Sequence, residues 1–342
     1  MLGTFRLVLA LLVALSHINV KILGLNPGVV AVVCFYLISG YVMTGLLHDH
    51  YFNGRSEAAL RGAGIRSRYD PARWRIVYFY FDRALRIFPH YLVVAGLTLI
   101  WYLAVGKPTA FLQHAPALRD LAANVSVVPL NYYMFNGTDL FTLVPPAWSL
   151  GAEIQFYLLI PLLLLWRLRT VAFLLALGVG AAAAWGIIDS EIFGYRLLPG
   201  VLVFFLLGSA LYEGRKQIKR GALVVLAGTA LSAIAAIVLL QFHHLMLPYN
   251  RETLLGLAIG LPLLHCLGRL PHSRIDNRLG DLSYGVFLNH FLIQWVLVGE
   301  PLGFAATLGY LTLSLLLSAA IQFLVERPVL HWRHRLRQKT VN

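Results

Sequence analysis

The sequence is short of charge. Of its 342 residues only 13% are Asp, Glu, Lys or Arg, while 59% are hydrophobic; a soluble domain carries about 25% charged residues. That deficit argues against a cytosolic enzyme, a secreted domain and a nucleic-acid-binding protein. Cysteine is almost absent. Cys34 and Cys266 both fall in apolar segments, which leaves neither a disulfide framework nor metal-ligand spacing. Acidic residues are fewer than basic ones, 15 against 28, for a formal net charge of +13. There is no Gly-rich phosphate loop, no internal repeat and no low-complexity tract.

What the chain has instead is long apolar runs. A helix that crosses a bilayer needs about 20 mostly apolar residues. Ten such stretches can be read, at roughly 5–21, 27–47, 84–105, 147–166, 170–188, 196–213, 221–241, 251–268, 281–298 and 304–325. They predict an all-α polytopic membrane protein with about ten transmembrane helices in one domain, 1–342. Two longer stretches fall outside them: a polar, Arg-rich loop, 48–83, and a mixed loop, 106–146. Within the second, 118–134 is semi-apolar and suits the membrane interface or a re-entrant segment. The first span also has the look of a signal peptide, with Arg6, an apolar run and then Ala14-Leu15-Ser16. The polar residues it carries favour its retention.

The positive charge is sorted by side. With a cytoplasmic N-terminus, one set of loops holds 23 of the 28 basic residues, including eight Arg between 55 and 86 and a basic tail, 327–342. The opposite set holds five: Lys21, Lys107, Arg119, Arg196 and Arg251. By the positive-inside rule both termini are cytoplasmic. Most of the excess charge therefore encodes topology and not an anionic partner such as nucleic acid.

Ionisable groups inside spans are costly and mark functional candidates. Arg6 and His17 are eleven residues apart, three turns plus about 20°, so they share a stripe about 16 Å long; taken alone, they equally suit an anchor at the cytoplasmic end and a cap at the outer headgroups. Arg83 and Arg86 are spaced i, i+3 and share a face; paired guanidiniums suit phosphate or pyrophosphate, and equally suit anchoring at the cytoplasmic face. Pro89 follows one turn later. Glu153 stands about one turn inside its span, near the outer face and level with His17, so the two could serve as a base and its orienting group. A plain interhelical hydrogen bond is the alternative. His290 is mid-span, either a packed core histidine or a pathway residue. Glu326-Arg327-Pro328 closes the last helix at the cytoplasmic face, where the charges would serve to stop it.

These residues, taken together and in order, resemble the membrane acyltransferase-3 family of bacterial acyl and acetyl transferases. The family's Arg followed eleven residues later by His resembles Arg6 with His17. Its Ser-Gly element resembles Ser39-Gly40. Its two-Arg, Pro and Tyr signature resembles Arg83, Arg86, Pro89 and Tyr91. Its Trp-Ser-Leu block with Glu resembles Trp148-Ser149-Leu150 and Glu153, and its later elements resemble Ser283-Tyr284, His290 and Glu326-Arg327-Pro328. Phe287, Asn289 and Phe291 depart from the family's usual Tyr, Trp and Pro.

The resemblance implies acetyl-CoA, or another acyl-CoA, as the cytoplasmic donor substrate, with no metal. Arg83 and Arg86, with Arg6, would hold it. His17 would deprotonate the acceptor or carry the acyl group, and Glu153 would orient or charge-stabilise it. The implied acceptor is a hydroxyl of a cell-envelope polysaccharide, such as lipopolysaccharide, or of a lipid-linked glycan. The implied location is the bacterial inner membrane, and a separate extracytoplasmic transferase is a conceivable partner. A secondary transporter, or an acyltransferase acting on a small metabolite, is the competing expectation.

Overall fold

The computed structural model describes residues 1–52, 71–271, 273–297 and 303–330. The stretches 53–70 of the polar loop, with Arg55, Arg61, Arg66 and Arg68, and 331–342 of the basic tail lie outside the described residues. The architecture is helical, and among the described residues extended structure is limited to isolated bridges such as Ile22 with Leu25. The main helices are α1 (Leu2–Ser16), α2 (Pro27–Leu46), α3 (Pro71–Val105), α4 (Leu118–Ser126), α5 (Ala147–Leu165), α6 (Arg169–Ala184), α7 (Leu198–Glu213), α8 (Ile218–Gln241), α9 (Asn250–Leu267), α10 (Arg274–Val296) and α11 (Phe304–Ile321).

Among the described residues, six helical segments are long and apolar enough to cross a membrane: Pro27–Tyr51, Arg75–Val105, Ala147–Leu165, Ile192–Glu213, Lys219–Gln241 and Phe304–Leu330. Helices α1 and α6 are apolar but shorter. The segment 118–134 forms α4 followed by a tight turn at Val128–Tyr132 and a one-turn helix, Tyr133–Asn136.

Burial divides the helices into an inner and an outer set. The apolar window of α2 is 72% buried, and that of α8 only 17%. On α8, Leu223, Leu226, Ile234, Ile237 and Leu240 are exposed, which without a lipid solvent would be an untenable apolar surface. Helix α2 is the centre of the bundle, packed by α1, α7 and α9 and touched by α5. It starts cleanly because Asn26 caps it, its side chain accepting from the N–H groups of Gly28 (2.9 Å) and Val29 (3.4 Å), with Pro27 in the first turn.

Small residues set the closest crossings. A Cβ on Gly40 would lie 1.8 Å from the Phe205 carbonyl oxygen, and one on Gly208 would lie 2.0 Å from that of Leu37. Helices α2 and α7 therefore touch backbone to backbone, the way small residues let membrane helices associate. Helix α1 is tied to α10 similarly. Gly3 and Gly280 face each other at the crossing. The Asp276 carboxylate there accepts from the N–H groups of Gly3 (3.0 Å) and Thr4 (2.8 Å) and from the Thr4 hydroxyl (2.8 Å). The first turn of α1 is thus capped by a side chain from another helix, which satisfies N–H groups that have no partner within α1 itself.

Candidate active site

Three cavities follow one another between α1, α2, α5 and α10. The inner one, about 200 Å³, is lined by Arg6, Arg83 and Arg86 together with Ser39, Glu153 and Tyr284 among others. The middle one, about 70 Å³, is lined by His17, Ser149, Tyr195 and Arg196. The third, about 220 Å³, is lined by His17, Trp148, Arg196, Tyr133, Asp139 and Phe291. Val32, Ser149 and Phe287 form wall shared by the first two, and His17, Trp148 and Arg196 are shared by the second and third. Helix α1 runs alongside, with Arg6 on the inner cavity and His17 on the other two.

The three inner guanidiniums are held differently. Arg83 pairs with its neighbour Asp82 and reaches the Met43 sulfur (3.8 Å). Arg86 pairs with Glu326 and, at 3.3 Å, with Asp281. Glu326 is 1% exposed and also meets His90 Nδ1 at 3.3 Å. Breaking such a buried charge pair is costly, so Arg86 is fixed in place. Arg6 makes no hydrogen bond or ion pair among the described residues, which leaves it the cation best able to meet an incoming anion.

Glu153 corrects an expectation. Its carboxylate is not paired with His17; it accepts hydrogen bonds from the Ser39 and Tyr157 hydroxyls and lines the Arg cavity. The cause is helix geometry. Ser149, one turn earlier on α5, faces both the inner and middle cavities, and four residues at 1.5 Å rise carry Glu153 about 6 Å deeper. Glu326 is likewise no surface helix stop but the buried counter-ion of Arg86.

His17 ends α1, its N–H accepted by the Val13 carbonyl, and its ring opens onto the middle and outer cavities. It stacks on His290 with centroids 5.2 Å apart and an interplanar angle of 21°, and packs on Phe291 at 4.7 Å. Phe291 is one of the three departures from the family pattern, and it supplies a wall of this site. Asn289, another, bonds Ser314 across to α11. His290 is fully buried, its Nδ1 3.1 Å from the Val286 carbonyl.

The other motif residues divide between site and scaffold. Trp148 lies under Arg196, whose guanidinium carbon is 4.7 Å from the indole centroid. Ser283 and Tyr284 line the inner cavity while bonding the carbonyls of Gly280 (2.6 Å) and Ile87 (3.0 Å). Tyr91 is scaffold: its hydroxyl donates to the Asn124 carbonyl at 2.7 Å and fastens α3 to the 106–146 segment.

Arg196 is the site residue that spacing does not single out, since it reads as an ordinary charge at an outer helix end. It sits on a wide turn, Ile192–Arg196, bonds Glu191 through Nε (2.9 Å) and Nη2, and is surrounded by Trp148, Tyr133, Tyr195 and Tyr249. The only sequence signal is its place in a Tyr-Arg pair among scarce outer charges.

A bundle of apolar helices around cavities lined by Arg, His and Glu defines a multi-pass membrane protein with an internal polar site. The family model described as an acyltransferase domain, Acyl_transf_3, matches residues 3–325, and the chain belongs to that family. An uncharacterized protein of Aquifex aeolicus is 37% identical over 188 residues, 53% of this chain and 84% of that protein. Nodulation protein 10 of Rhizobium leguminosarum bv. viciae is 24% identical across 91% of this chain and 83% of its own length. The O-acetyltransferase OatA of Staphylococcus aureus is 28% identical over 162 residues, 46% of this chain but only 23% of OatA. No solved structure matches. As a family member the protein takes an acyl donor.

Proposed function

We propose that this single-domain protein is a membrane O-acetyltransferase that moves an acetyl group from cytoplasmic acetyl-CoA to a hydroxyl of a cell-envelope glycan. The observation that carries this reading is the row of three cavities, with an uncommitted guanidinium in the first and a histidine in the other two. Arg6, backed by Arg83 and Arg86, meets the phosphates of the donor, and the thioester lies toward Ser39 and Glu153. His17 takes the proton of the acceptor hydroxyl, a task that suits an imidazole. The acceptor oxygen bonds the acyl carbon, the C–S bond breaks, and the departing thiolate takes from His17 the proton that came from the acceptor.

The charge distribution supports ten spans in a bacterial inner membrane with both termini cytoplasmic, which turns Arg6 inward and His17 outward. The likeness to OatA, an O-acetyltransferase, supports acetyl as the group moved. The third cavity, lined by Trp148, Tyr133 and Phe111 beside Asp139, offers ring faces and hydrogen-bond partners to a sugar. A separate extracytoplasmic transferase would be needed only if the glycan is modified in a second step.

The test is acetyl transfer from labelled acetyl-CoA into the envelope fraction by membranes holding the wild-type protein or His17→Ala. The wild type transfers label, and the variant, matched for amount by immunoblot, loses at least 10²-fold, as expected for removal of a general base. Transfer by the variant at the wild-type rate would sink the assignment of His17.

A further inference from the structure

Six residues that line the inner cavity carry hydroxyls, and five are committed. Ser39 and Tyr157 donate to Glu153, Ser149 to the Pro146 carbonyl (2.9 Å), Ser283 to that of Gly280 and Tyr284 to that of Ile87. The sixth is Tyr36. It is 3% exposed, and its hydroxyl has no hydrogen-bond partner among the described residues. A buried hydroxyl left unpaired carries a full desolvation penalty, so its retention asks for an explanation.

Its placement supplies one. Tyr36 precedes Ser39 by three residues on α2, so the two share a face. Its ring is held against Phe205, centroids 4.6 Å apart, which fixes where the hydroxyl points. Val32, one turn before Tyr36 on α2, lines both the inner and the middle cavity, and the hydroxyl stands within electrostatic reach of Glu153 and also of Tyr195 and Arg196. The latter two line the middle cavity. The hydroxyl is therefore at the wall between the donor cavity and the cavity of His17, where an acyl group would change hands.

We propose that the Tyr36 hydroxyl donates a hydrogen bond to the carbonyl oxygen of the acyl thioester as transfer proceeds, a role that rests on the reading above. When the acceptor oxygen adds to the acyl carbon, the carbonyl π pair moves onto the carbonyl oxygen. Tyr36 stabilises the resulting oxyanion, and the intermediate collapses by expelling the CoA thiolate, which takes the proton held by His17. A fixed donor aimed at charge that develops only in the transition state raises kcat without tightening ground-state binding.

The decisive variant is Tyr36→Phe, assayed by transfer of radiolabelled acetyl groups from acetyl-CoA in membranes, with melting temperature read on detergent-purified protein. The expected result is a fall in kcat of about 10²-fold, as for loss of one oxyanion donor, with KM for acetyl-CoA within about twofold. The melting temperature should be equal to or above that of wild type, because the lost hydroxyl had no partner. Wild-type kcat in the variant overturns the proposal, as does a rise in KM at constant kcat. Should the variant melt lower, 3-fluorotyrosine at position 36 decides: turnover at or above wild type sustains the proposal, and turnover at the Phe level overturns it. If the wild-type protein itself transfers no label, the acetyltransferase reading falls, and the role of Tyr36 with it.

Discussion

Gly40→Ala is the substitution whose cost can be worked most directly from the structure. The added methyl carbon would lie 1.8 Å from the Phe205 carbonyl oxygen, 2.7 Å from its carbon and 3.0 Å from its Cα. Carbon–oxygen contacts between packed backbones settle near 3.3–3.6 Å, so α2 and α7 must part locally by about 1.5 Å. Gaps of about 0.5–1 Å already forfeit a quarter to a half of a dispersion contact, and these are two of the most buried segments, at 72% and 67% of their windows. The expected loss is roughly 3 kcal/mol or more, at or beyond the upper end of ordinary overpacking. Gly208→Ala, meeting the Leu37 carbonyl at 2.0 Å, should cost about as much. Because one separation of the helices relieves both clashes, the double variant should lose clearly less than the sum. Gly96, on α3, is the control: nothing lies within 4 Å of its Cβ position, so Gly96→Ala should stabilise by about 0.5–1 kcal/mol. Melting curves on detergent-purified protein, followed by monodispersity, read all four. A Gly40→Ala protein that melts with the wild type, or a strictly additive double variant, would refute the backbone contact between α2 and α7.

Other outcomes follow from the charged groups. Glu326→Gln leaves Asp281 as the one carboxylate on Arg86; it should destabilise by about 2–4 kcal/mol, an amide retaining one acceptor for the guanidinium, and, on the acetyltransferase reading proposed above, raise KM for acetyl-CoA, both read on the same purified sample. For Asp276, burial alone would raise its carboxyl pKa, but the hydrogen bonds from Thr4 and Gly3 outweigh it and hold the group well below the usual carboxylate range. A folded value below the unfolded one, about 4, means stability that is present above pH 4 and lost as pH falls through the folded value. Asp276→Asn should therefore cost about 1 kcal/mol at pH 7, the worth of a helix cap, and flatten the decline in melting temperature below about pH 4. An unchanged acid limb in the variant would count against this cap.

The helices were legible where apolar runs are uninterrupted, because a bilayer-crossing segment must satisfy its own backbone and shed its charges. Helix α2 is the clearest case, read as 27–47 and found as Pro27–Leu46. The start of α3 was not legible: it begins at Pro71, well before the apolar run at 84–105, because its first turns carry Arg73, Arg75 and Asp82. At the site, motif spacing identified residue types but not their partners. Glu326 lies 240 residues from Arg86, and no local pattern announces a pairing across that distance. Glu153 lies a turn of helix away from the level of His17 that its place in the span suggests, which in a row of cavities is the difference between one chamber and the next. Arg196 and Tyr36 carry little local signal of a site, for opposite reasons: one resembles a loop charge and the other an ordinary apolar-face aromatic.

The anchoring of α1 has a consequence for the choice of donor. The helix is pinned at its start by Asp276 and ends at His17, so the span between Arg6 and His17, about 16 Å at 1.5 Å per residue, behaves as a measuring rod. On the reading proposed above, a donor gripped by its phosphates near Arg6 and an acceptor held at His17 must together cover that span before the acyl carbon and the hydroxyl can meet. A rod of fixed length sets the sum of the two arms, so a shorter reach from one side has to be met by a longer reach from the other.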